Sequence, residues 1–336
     1  MKIKRRDLFR YGGLSGGAGL LAGLITTDSA RTAYGAKVGL PSSAQTIDCT
    51  GVAGNAYTQK YLPPPYVDAT ALDRLHTPPP FVPNAESRAH DVDLTVIETT
   101  LEVANGTNMR VWAYGGTVPG PVLRATEGDV IRVSLTNRTN GRHTIHFHGA
   151  HDIGQDGLNW SDPGATVACE IEARPFGLHP YHCHTPPYAW HLSKGMYGTM
   201  IVDPPGGRAA AHEFVLCLCG WDIDGDGRNE FYGWNGLAGY YQKFPLKVPV
   251  GELVRLYLVN MVEYDPVASF HLHAQTFDLY RSGTSVSPHE HTDVVTLGQT
   301  ERAIIEFRLP RRGRYMFHPH QTHMADRGAM GWIVAI

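Results

Sequence analysis

The sequence predicts an all-β protein made of two Greek-key β-sandwich domains, and three observations carry that expectation. From about Ala85 onward, short apolar runs alternate with turn residues, as strands and their connections do. The chain then repeats itself: GDVIRVSLTN at 128–137 matches GELVRLYLVN at 251–260, and both alternate with the two-residue period of a strand. Each copy is followed by a histidine motif. Later, Gly177 precedes His182 by five residues and Gly313 precedes His318 by five. A repeat of this length signals a duplicated domain and not a solenoid. The strand number and spacing suit Greek-key sandwiches, roughly 86–206 and 207–336.

The 336 residues also suit two domains of ordinary size. A net charge of −3 gives no electrostatic reason to expect a nucleic-acid partner. Residues 1–36 resemble a twin-arginine export signal, with Lys4-Arg5-Arg6-Asp7-Leu8-Phe9 followed by a Gly-rich, mildly apolar stretch from Gly12 to Ile25. That stretch is too short for a stable membrane span. The resemblance implies an extracytoplasmic protein, periplasmic or secreted, exported already folded. Residues 37–85 hold Pro63-Pro64-Pro65 and Pro78-Pro79-Pro80. Proline fixes φ and removes a donor, so an extended arm is expected there, wrapped on the first domain or on a neighbouring subunit.

Eighteen histidines stand in clusters, and the densest stretch runs from Tyr181 to Gly198. It holds His182, Cys183, His184, His191 and Met196. On a strand, His182 and His184 face one way and Cys183 the other. A thiolate, imidazoles and a thioether form the ligand set of a blue-copper site, here His143, Cys183, His191 and Met196. Four His-x-His pairs remain: His146/His148, His182/His184, His271/His273 and His318/His320. Eight imidazoles are the number a three-copper cluster needs. The second copy keeps its two pairs but has Ala268, Pro319, Met324 and Ala329 where the first has His143, Cys183, His191 and Met196.

These motifs, His-x-x-His-x-His, His-Cys-His…His…Met and two further His-x-His pairs, resemble those of the multicopper oxidases over most of residues 86–336. The resemblance implies two cupredoxin-like domains and a laccase-like oxidase with type 1 copper in the first. It implies four coppers per chain: type 1 on His143, Cys183, His191 and Met196; type 2 on His146 and His271; and a binuclear type 3 pair on His148, His182, His184, His273, His318 and His320. The clusters would lie between subunits of a homotrimer. Small phenols, aromatic amines or metal ions would supply electrons through His191, whose ring edge is expected to face solvent, and dioxygen would be reduced to water. Met196 as a weak axial ligand argues against the most oxidising laccases. Copper nitrite reductase is the nearest rival family. It carries an aspartate at the position matching His146 and no histidine at that matching His184, which favours oxygen here. A non-catalytic copper carrier would need only the blue site.

Oxygen reduction needs protons, and a carboxylate is the usual relay. Asp156 and Asp162 follow the first histidine motif and are the candidates, with Asp326 a third. His151, His179 and His323 could orient ligand rings. His289 and His291 read as part of a polar loop, and Asp222-Ile-Asp224-Gly-Asp226-Gly227 as a solvated turn. Beside Cys183 stand Cys49, Cys169, Cys217 and Cys219. No disulfide among them can be assigned from sequence, and Cys217 and Cys219 read as buried thiols on an apolar strand.

Overall fold

In the computed structural model, residues 60–83, 88–157 and 159–336 are described. The export-signal stretch at 1–36, the arm before residue 60 and Cys49 lie outside them. Among the described residues the fold is all-β, two cupredoxin-like sandwiches of two sheets each. The first uses β1 (Ala89–Ala104), β2 (Thr107–Tyr114), β3 (Leu123–Thr126), β4 (Val130–Asn137), β5 (His146–Phe147), β6 (Thr166–Glu172), β7 (Gly177–His182) and β8 (Tyr197–Asp203). The second uses β9 (His212–Trp221), β10 (Phe231–Trp234), β11 (Leu246–Val248), β12 (Leu253–Asn260), β13 (Val267–Leu272), β14 (Phe277–Arg281), β15 (Glu290–Thr292), β16 (Val294–Gly298), β17 (Arg302–Arg308), β18 (Gly313–His318) and β19 (Gly331–Ala335).

The repeat seen in sequence is a repeat of topology. Sheet order β2-β1-β4-β6 in the first half corresponds to β10-β9-β12-β17 within the larger sheet of the second, and β3-β8-β7-β5 to β11-β19-β18-β13. β1 runs parallel to β4 as β9 does to β12, and β3 parallel to β8 as β11 does to β19. The two matching glycines that open β7 and β18 hold φ of +146° and +152°. That is backbone an L-residue rarely adopts, and it explains why glycine stands at both positions.

A core lies inside each sandwich, and a third apolar cluster joins the two halves. Val111, Val118, Leu178 and Tyr197 from the first half pack with Val215, Trp221, Tyr257 and Ile304 from the second. Cys217 and Cys219 face this interface as buried thiols, and Cys169 is also free. Buried ions add direction to the contact: Arg124 is held between Asp203 and Glu213, and Arg255 between Glu213 and Glu306. Such pairs break expensively once desolvated, so the two halves are fixed as one body.

The described part of the arm wraps both halves of its own chain. The Leu62 carbonyl accepts from Asn105, that of Ala69 from the Tyr240 hydroxyl, and that of Pro79 from Arg124. The arm is not extended throughout: one turn of helix, Asp73–His76, seats Leu72 and Leu75 in the second core. Among the described residues no helix is long and apolar enough to cross a membrane.

Candidate metal centres

β7 ends at His182, and the chain runs on through Cys183 and His184. Alternation turns the Cys183 side chain into the first core, where it is fully buried. Its sulfur lies 3.3 Å from His191 Nδ1 and 3.9 Å from His143 Nδ1. The short helix Tyr188–Ser193 delivers His191, and the Cys183 amide donates to the carbonyl of Met196, itself fully buried. Thr144 ties the site together. Its amide points at the sulfur at 3.4 Å, and its hydroxyl accepts from the His184 amide at 2.7 Å. The far nitrogen of His143 is held by Thr139 Oγ1 at 2.8 Å, which leaves Nδ1 facing the thiol. Burial pushes both imidazoles down to about 4, with the neighbouring His191 adding to the effect on His143. They therefore stay neutral, as metal ligands must be.

His191 is nearly buried, at 5% exposure, so at most a small edge of its ring reaches solvent. The Trp112 indole lies against it, centroids 4.8 Å apart, and against His143 at 5.1 Å. A neutral imidazole in an apolar setting is stabilised by burial against an aromatic face, and sequence spacing gave no sign of that neighbour.

On the opposite side of β7, strand register builds a group of four imidazoles. His146 pairs directly with His182 in the β5–β7 ladder. His148 Nε2 and His182 Nε2 face each other at 2.7 Å, and the His146 ring lies 5.2 Å from that of His184. The His182 Nδ1–H donates to the Cys183 carbonyl at 2.8 Å, so its Nε2 is the lone-pair atom. Burial, then the neighbouring imidazoles, push His146 down to about 4 and His148 to about 3.

The second half repeats this group almost atom for atom. His271 pairs with His318 across β13 and β18, and His273 Nε2 faces His318 Nε2 at 2.9 Å. His318 Nδ1–H donates to the Pro319 carbonyl at 2.8 Å, and the His320 amide donates to Ser269 Oγ at 2.7 Å, as His184 does to Thr144. The His320 ring lies 5.3 Å from that of His271. The difference is exposure: His273 and His320 are open to solvent. Among the described residues no ring contact joins the two groups within one chain.

The two relay candidates part company. Asp156 Oδ1 stands 3.5 Å from His146 Nδ1 and 3.4 Å from His151 Nε2, at the edge of the first group. Asp162 pairs with Arg142 on the surface. His179 sits between the carbonyls of His148 and Pro175 and fixes the strand that carries His148. His323 faces Asp265, and His291 bonds Asp278 and Thr276, so both are held away from the imidazole groups. Asp222 accepts from the amides of Gly225, Asp226 and Gly227, which closes the acidic turn on itself.

The donor sets fit metal. Ligand nitrogens sharing one ion at about 2 Å lie about 3 Å apart, as the paired Nε2 atoms do. Nδ1 of His184 is buried without a hydrogen-bond partner, and that of His146 has only Asp156 at 3.5 Å, the kind of underused donor that a bound group explains. One cysteine sulfur with two imidazoles, all buried, is a soft set that selects copper.

Comparison with known proteins agrees. Family models for multicopper oxidases match residues 95–207 and 222–335. A crystal structure of a multicopper oxidase is 38% identical, with a TM-score of 0.74 over 84% of this chain and 100% of that one. A copper nitrite reductase from Nitrosomonas europaea is 28% identical, with a TM-score of 0.67 over 74% of this chain and 94% of that one. The copper-containing nitrite reductase of Neisseria gonorrhoeae is 28% identical over 93% of this chain and 86% of its own length. With two matched domains, a buried Cys-His-His set and paired imidazole groups, this chain is a copper oxidoreductase and belongs to the multicopper oxidase family.

Proposed function

We propose that the protein is a laccase-like oxidase, exported to an extracytoplasmic compartment, with domains at 86–206 and 207–336 and four coppers per chain. Copper, when bound, supplies the redox chemistry: one-electron oxidation of small reductants at the Cys183 site and four-electron reduction of dioxygen to water at the imidazole cluster. His143, Cys183, His191 and Met196 hold type 1 copper. His146 and His271 hold type 2, and His148, His182, His184, His273, His318 and His320 hold the type 3 pair.

One observation carries the reading: two matched groups of four imidazoles, each with an opposed Nε2 pair, at 2.7 and 2.9 Å. A single type 2 copper needs three imidazoles, so a reductase would leave most of these without work. Each group supplies half a three-copper cluster, and the exposed His273 and His320 need a covering surface. A closed ring of three chains, placing the first group of one against the second group of the next, meets both needs.

The chain's own residues divide the remaining tasks. Cys183 is covalently joined to His182 and His184, and the His182 ring also bonds its carbonyl, so the two centres are linked by the shortest available path. Asp156, beside His146 and partly open to water, is placed to pass protons inward. Thr144 and Ser269 hold the segments after β7 and β18 that carry His184 and His320.

The names of the relatives keep nitrite as a second reading. Copper-loaded protein supplied with a phenolic dye should consume dioxygen, carry four coppers per chain and sediment as a trimer. Release of nitric oxide from nitrite without oxygen uptake, or two coppers per chain, would overturn the assignment.

A further inference from the structure

His143 is fully buried and His191 is only 5% exposed, so a reductant at the surface reaches them through the side chains that cover them. Trp112 is the ring between. It lies 4.8 Å from His191, 5.1 Å from His143 and 5.7 Å from Trp190. Trp190 directly precedes His191 on the same helix and is 51% exposed. The Trp112 indole is held in plane by a 3.0 Å hydrogen bond from Nε1–H to Glu98 Oε2, and its own amide donates to the Lys194 carbonyl. A continuous aromatic path therefore runs from the surface to both imidazoles, and its inner ring is fixed.

We infer that Trp190 and Trp112 form the stacking platform for a planar aromatic reductant, a phenol or aromatic amine, and that Trp112 is the bridging ring through which its electron reaches the Cys183 centre. The inference rests on the oxidase reading and narrows its substrate class. The occupant is a small molecule because the apolar surface is small. Trp190 is about half exposed and Tyr264, bonded to Ser193 on the same helix, less, and at about 150–250 Å² per ring the two offer roughly 200 Å². A protein partner needs about 800 Å² on each side. Bound phenol gives one electron to the buried centre and its hydroxyl proton to water, and leaves as a phenoxyl radical. Trp112 needs no net oxidation, since it serves as a packed bridge.

The test uses the copper-loaded chain, with 2,6-dimethoxyphenol as aromatic probe and hexaammineruthenium(II) as a reductant that cannot stack. Trp190→Ala should raise KM for the phenol about two- to tenfold, the worth of one aromatic contact. Trp112→Leu should slow anaerobic bleaching of the blue absorption by saturating phenol about ten- to hundredfold, as loss of a positioned contact does. Both variants should keep the blue spectrum, Trp190→Ala should also keep the ruthenium rate, and Trp112→Phe should restore most of the phenol rate. A separate readout needs no copper: the phenol should quench indole fluorescence of the metal-free protein, and Trp190→Ala should weaken that binding. Unchanged phenol kinetics, equal slowing of both reductants by Trp190→Ala, or slowing confined to a small electron-transfer protein would each overturn the inference. A wild type lacking blue absorption would sink the oxidase reading instead, and the fluorescence titration would still decide the platform.

Discussion

The two halves of this molecule share a fold and a histidine group but differ in what fills the space behind it. In the first half, His143, Cys183 and His191 meet in the core as a buried polar set, with Met196 buried in the same core and Thr144 and Thr139 satisfying its edges. In the second, the matching positions are Ala268, Pro319, Met324 and Ala329. The two alanines and Met324 are fully buried in an apolar cluster. Phe270 stacks on Phe317, and Trp234 packs edge-on against Phe270 while its Nε1–H donates to the Ala329 carbonyl. The lesson is that a metal site and a hydrocarbon core are interchangeable fillings of one sandwich. The imidazole group depends only on strand register, which both halves keep. Pro319 sharpens the contrast, since it cannot supply the amide bond that Cys183 makes to Met196.

The largest expected effect comes from erasing the difference between the halves. Cys183→Ser removes the soft ligand, and blue absorption and dye oxidation should fall to background while copper drops by one per chain. Retention of the blue spectrum would disprove the assignment. Next, His184→Ala and His320→Ala strip one ring from the first and second groups. If the groups meet across subunits, both variants should lose oxygen uptake alike and keep the blue spectrum. Loss confined to one of them would mean that the groups work separately.

A third substitution reads the second half as core. Met324→Ala should cost about 2–4 kcal/mol in denaturant unfolding, with copper content unchanged. Its counterpart His191→Ala should lose blue absorption. A last effect concerns pH in metal-free protein. The unfolded chain takes up protons on its histidines near pH 6.5, whereas buried His143 and His191 accept them only near 4 when folded. Between those values the unfolded state binds more protons, so stability is full above pH 6.5 and falls as pH drops toward 4. One such imidazole is worth about 3 kcal/mol at full titration. Denaturant midpoints at pH 7 and pH 5 should show the loss, and copper should abolish most of it. No difference between those midpoints would mean that these rings are hydrated.

Much of the site was legible in sequence because alternation in a strand is a local rule. His-Cys-His must split its side chains between two faces, and the duplicated Gly-to-His spacing had to yield equivalent strands. The thiol pair Cys217 and Cys219 followed from the same rule. The illegible parts are contacts between elements distant in the chain. Trp112 carries no mark that separates it from any strand aromatic, and Thr144 and Ser269 look like ordinary polar residues until their hydroxyls are seen accepting from the amides of His184 and His320. Asp156 and Asp162 were indistinguishable beside glycine and serine, and only packing set one against His146 and the other against Arg142.

By itself, then, the sequence determined the all-β class, the duplication and which side chains are donors, since these depend on periodicity and residue chemistry. Tertiary structure decided which donors share a pocket, that Trp112 packs against His191, and that the second sandwich is filled with hydrocarbon. Those outcomes depend on close packing between strands far apart in the chain, and no local pattern encodes them.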